Sequence, residues 1–200
     1  MGLYTHSLCL LRESAKGSLV EDLQRTGIVR AVGDELEFLG MGAALSHGPI
    51  EGGLTLLELA PDDNTFDEFV RARGHEFVNW LWDAVERADV LYAFIPGGGD
   101  FKYYEDGIRT DEFQWTQLRE LCDTGKVRVL HPLMMFAARL GQGRPYERAK
   151  TLNWGLKEVR EGVGCLVGLI NPTENGFEIL EPGTMYPVLR KGWDDGLGEP

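Results

Sequence analysis

The sequence predicts an α/β or α+β fold in a single domain: a mixed, partly parallel sheet with flanking helices and antiparallel hairpins toward both termini. Three observations point there. Strand-like and helix-like periods alternate three times between residues 54 and 170, the pattern of strand–helix–strand units. Gly33-Asp34 and Asn175-Gly176 each divide two β-like runs, one pair near either end of the chain. A length of 200 residues with 43% hydrophobic and 26% charged side chains suits one core large enough to offset its ordering entropy.

Residues 3–11 alternate polar and apolar as a strand. Ser18 and Glu21 have capping-box spacing for a short helix that stops at Gly27. Residues 28–32 and 36–39 then predict a hairpin around Gly33-Asp34. Residues 40–53, rich in glycine and small side chains, have no strong period and read as a loop or irregular edge. A strand at 54–59 precedes the turn at 61–64, and Thr65 with Glu68 caps a long helix. Its buried stripe runs through Phe66, Val70, Phe77, Trp80, Leu81 and Val85, and Trp82 falls outside it.

Residues 89–95 form an apolar run expected to be a strand covered on both faces. Further on, the pattern predicts a helix at 111–124 ending at Gly125, a strand at 127–131, a helix from about 146 to 160 and an apolar strand at 163–170. Residues 177–180 pair back on the preceding run, and 186–190 add a strand. Residues 1–192 are therefore expected as one domain and 193–200 as a loose tail.

Charge and cysteine usage exclude several classes. The net charge of −12 argues against a protein that grips DNA or RNA through phosphates. No stretch reaches the ~20 apolar residues of a membrane helix, and the N-terminal residues lack the basic and apolar regions of a signal peptide. Cys9, Cys122 and Cys165 are odd in number and widely spaced, which indicates neither a disulfide framework nor a zinc site and places the chain in a reducing, cytoplasmic compartment.

Catalytic spacings are sparse. His75-Glu76 opens a zinc-protease helix motif, but Asn79 stands where the second histidine belongs. The acidic run 62–68 lacks the alternation of a calcium loop. No nucleophile elbow and no cofactor-binding motif occurs, so the reading includes no cofactor, no metal and no catalytic residue, and whether the chain is an enzyme stays open.

Two regions carry the functional expectation. Residues 51–100 hold 11 acids against 3 basic residues, whereas 101–150 hold 7 against 9. The first reading is a protein-binding module, such as an inhibitor or a toxin-neutralising immunity protein. It would set Asp100, Phe101, Tyr103, Tyr104, Glu105, Asp106 and Asp111, extended by Trp82, against a basic partner, because aromatic anchors dominate hot spots and complementary charge speeds encounter. The second is a small-molecule site for a nucleotide or other anion, formed by Gly97, Gly98 and Gly99 with His131, Arg139, Arg144 and Arg148. A third is a homo-oligomer interface.

Overall fold

A computed structural model describes residues 7–32, 35–50, 53–61, 63–95, 131–152 and 154–180. Its centre is a nine-stranded sheet in the order β2-β3-β4-β5-β1-β6-β7-β9-β8. The strands are β1 (Leu8–Glu13), β2 (Val29–Val32), β3 (Glu35–Phe38), β4 (Met41–Ile50), β5 (Leu54–Pro61), β6 (Tyr92–Ile95), β7 (Leu133–Ala137), β8 (Leu156–Arg160) and β9 (Gly164–Gly168). β10 (Ile170–Pro172) and β11 (Phe177–Ile179) form a separate two-stranded hairpin. The helices are α1 (Leu19–Arg25), α2 (Asp63–Arg87) and the short α3 (Arg144–Ala149).

Every described strand pair is antiparallel, which corrects the partly parallel expectation. The reason is an insertion. β5 and β6, joined through α2, both run antiparallel to β1, so they point the same way as a strand–helix–strand unit requires. β1 lies between them, and the parallel pair never forms. The fold is α+β: a large antiparallel sheet with few helices.

Two further expectations are corrected. Residues 41–50 form the longest strand of the sheet, held by an eight-residue register with β5 from Ala43↔Pro61 to Ile50↔Leu54. Cross-strand pairing supplies the order that its small residues do not. The helix expected at 146–160 ends at Ala149, and Leu156–Arg160 is an edge strand paired with β9 through Val159↔Cys165. Pro145 at the helix start and the turn through Leu152 limit that helix to six residues. The strand anticipated at 127–131 lies outside the described residues except His131, and the described strand starts at Leu133.

Local signals elsewhere hold in part. Ser18 Oγ accepts the Glu21 amide at 3.3 Å, capping α1. The β2–β3 hairpin occupies the expected residues, whereas β11 pairs with Ile170–Pro172 and not with the apolar run before it, which is β9 in the main sheet. α2 begins at Asp63, so Thr65 lies inside the helix and is not its N-cap as expected, and the helix is kinked at Arg73, whose φ −143 and ψ 34 leave the helical range.

Both faces of the sheet are covered. α1 and α2 lie on one, where Leu8 and Leu10 of β1 meet Phe66, Phe77, Leu81 and Val85. On the other, Cys9, Leu11, Tyr92, Phe94 and Phe136 pack with Tyr146 and Ala149 of α3. No described helix is long and apolar enough to cross a membrane.

Candidate functional site

The 97–100 loop and residues 100–115, on which the acidic-aromatic reading rests, lie outside the described residues: Gly97, Gly98, Gly99, Asp100, Phe101, Tyr103, Tyr104, Glu105, Asp106 and Asp111. Residues 193–200 do as well. The remaining expected site residues are placed.

Trp82 is a core residue, with 1% of its surface exposed, and does not extend a surface patch. Its Nε1–H donates to the Glu158 carboxylate at 3.1 Å, and the Arg160 guanidinium lies 4.4 Å from its ring centroid. The indole fits because Gly164 of β9 has no side chain; a Cβ there would stand 3.3 Å from the ring. Trp82 departs from the helical stripe because α2 lies across the sheet and buries a wide arc, from Trp80 through Val85, against it.

His131 precedes β7 and is buried among aromatics, its ring stacked on Phe94 at 4.3 Å. Burial pushes its pKa down to about 3, so the imidazole is neutral at physiological pH. Arg139 lies beyond the other end of β7, where it pairs with Asp89 at 2.9 Å. The five residues of β7 separate the two, about 17 Å at ~3.3 Å per residue. Ile95, the last described residue before the 97–100 loop, is on the His131 side, opposite Leu133. His131 and Arg139 thus flank opposite ends of β7, while Arg144, exposed, and Arg148 belong to α3.

A polar cluster closes the C-terminal end of α2. Arg12 is the central strand's one buried cation, 1% exposed, and donates to the Ala88 carbonyl at 3.1 Å, the Gly17 carbonyl at 2.9 Å and the Asp22 carboxylate. That hydrogen bond holds the Asp22 carboxyl below the usual range, and Arg25 adds to the effect. Asp89, in the left-handed region at φ 57, takes Arg139 and also Lys16 at 3.7 Å. A cation at the carbonyl end of a helix opposes its partial negative charge.

The two described cysteines are in unreactive forms. Cys9 and Cys165 are buried, and desolvation pushes their thiols up to about 12 and about 11. Among the described residues, no three His, Cys, Asp or Glu side chains group closely enough to hold a metal ion.

The concave feature that the sequence reading missed is a cleft of about 300 Å³ between the β2–β4 hairpins and α2. Ile28, Leu39 and Trp80 form its apolar wall, and Arg30, Glu37, Arg73 and Glu76 its polar one. The kink at Arg73 brings α2 to it. β10–β11 props that kink: Thr173 Oγ1 donates to the Arg71 carbonyl at 2.7 Å, Arg71 pairs with Glu178 at 2.6 Å, and Phe177 packs on Gly74. An isolated glycine inside a helical run was the one signal in the sequence, since Gly74 leaves the space that the Phe177 ring takes. A second hollow, about 220 Å³, lies beside His47, Pro49 and Thr55.

Comparison with known protein families, with curated proteins and with solved structures finds no match to this chain. What the fold and the sites define is an antiparallel α+β protein whose described thiols and His131 are enclosed.

Proposed function

We propose that the chain is a non-catalytic, cytoplasmic protein-binding module, of the kind that inhibits a partner or neutralises a toxin, and that it presents acidic and aromatic side chains to a basic surface. The observation that carries this reading is where the positive charge goes. Arg12 and Arg25 are on Asp22, Arg71 on Glu178, Arg73 on Glu76, Arg87 on Asp83, Arg139 and Lys16 on Asp89, and Arg160 on Glu86. Lys150 is shared by Glu147 and Glu161. These nine cations are paired with the chain's own carboxylates, and the whole chain carries a net charge of −12, which favours encounter with a basic surface. Arg139, which an anion-binding site would need, is taken by Asp89.

The inert state of Cys9, Cys165 and His131 supports binding over nucleophilic or acid–base chemistry at those residues. Affinity capture with the wild-type chain and with the Tyr103→Ala/Tyr104→Ala variant tests the reading. Wild type should retain a basic protein that the variant loses. Equal capture by both, or no captured basic protein, would refute it.

A further inference from the structure

We infer that the cleft between the β2–β4 hairpins and α2 binds a small apolar zwitterion, an L-α-amino acid with an aliphatic or aromatic side chain. The inference is independent of the protein-binding reading and rests on how charge is distributed around this cavity. Arg73 and Glu76, both at its edge, neutralise each other through two parallel hydrogen bonds, Nε–H to Oε1 at 2.7 Å and a second from Nη2. Arg30 and Glu37 behave differently. They are register partners across β2 and β3, and both line the cleft, yet among the described residues neither has an ion-pair partner. Among the described residues the cavity thus has one unpaired cation and one unpaired anion at its rim, a match for a carboxylate and an ammonium on one molecule.

The rest of the cavity sets the size and character of that molecule. A volume of about 300 Å³ is at the lower end of small-ligand sites. Leu39 gives it an apolar wall from an unfavourable backbone position: φ is 54 at Leu39 and 80 at Gly40, in the two-residue turn closed by the pair Phe38↔Met41. Asn-Gly is the usual choice for such a turn, and leucine held in the left-handed region is a strained position of the sort that clusters at ligand sites. Gly40 brings the backbone close to the Glu37 carboxylate, since a Cβ there would be 3.6 Å from Oε1. The Trp80 indole, part of the same wall, is fixed by its Nε1–H donated to the Ile28 carbonyl at 3.0 Å.

Isothermal titration of the full chain with L-leucine and L-phenylalanine, beside L-leucinamide and N-acetyl-L-leucine, tests this. The two amino acids should bind, and each analogue, lacking one charge, should bind at least ~tenfold more weakly. Arg30→Gln should bring leucine down to the leucinamide level and Glu37→Gln to the N-acetylleucine level, with the ligand-free melting temperature little changed because neither side chain has an ion-pair partner among the described residues. Absence of binding by both amino acids, equal binding of the analogues, or full binding by both variants would overturn the inference. The analogue series on the unaltered chain is decisive by itself if a variant folds poorly.

Discussion

Gly176 lies so close to the Val70 carbonyl of α2 that a Cβ on it would overlap that oxygen, while Phe177 beside it fills the space over Gly74. The β10–β11 hairpin and the kinked helix therefore meet backbone to backbone. Gly176→Ala should cost about 2–4 kcal/mol, since neither element can yield without breaking its own hydrogen bonds. Gly42→Ala on β4, where nothing stands within 4 Å of the added carbon, should change stability by less than ~0.5 kcal/mol. Urea midpoints of the two variants check the contrast.

His131 makes stability depend on acid. The unfolded chain takes up its proton near the ordinary 6.5, whereas the folded site resists until about 3. The unfolded state then binds more protons as pH falls, so stability is full above 6.5 and declines toward 3, by up to ~1.4 kcal/mol per unit. His131→Gln should flatten that slope in urea midpoints measured from neutral pH downward. An unchanged slope would show that His131 is not desolvated.

The Arg12 cluster predicts unequal partners. Asp22→Ala leaves a buried guanidinium without its carboxylate and should cost about 3 kcal/mol. Arg25→Ala removes only the exposed side of the same pair and should cost less than ~1 kcal/mol. Because Arg12 lowers the Asp22 pKa, the stabilisation is complete above the ordinary carboxylate range and is lost as pH falls through the lowered value.

The elements legible in the sequence are those whose signal is local. Ser18 with Glu21 marks the start of α1, the Gly33-Asp34 and Asn175-Gly176 spacings mark two hairpins, and the apolar stripe from Phe66 to Val85 marks α2. What escaped depends on distant partners. β4 owes its order to β5. In β8, Lys157, Glu158 and Arg160 favour a helix in isolation, and pairing with β9 overrides them. The insertion of β1 between β5 and β6 joins residues 8–13 to 92–95, and no period in either stretch encodes it. The cleft was invisible for the same reason: residues 28–40 meet 73–80 only through a kink propped by residues 173–178.

Thiol chemistry gives a simple check on burial. With Cys9 and Cys165 raised to about 12 and about 11, alkylation of the native protein at mildly alkaline pH should leave both unmodified, and denaturant should expose both. Peptide mapping of the labelled protein reads each site separately. Labelling of Cys165 before unfolding would contradict the packing of β9 between β7 and β8.

The proposed binding to a basic partner is tested most directly by the association rate with that partner as a function of ionic strength. The rate should lie well above the unsteered range of ~10⁵–10⁶ M⁻¹s⁻¹ at low salt and fall steeply as salt screens the carboxylates. A rate that does not change with salt would contradict it.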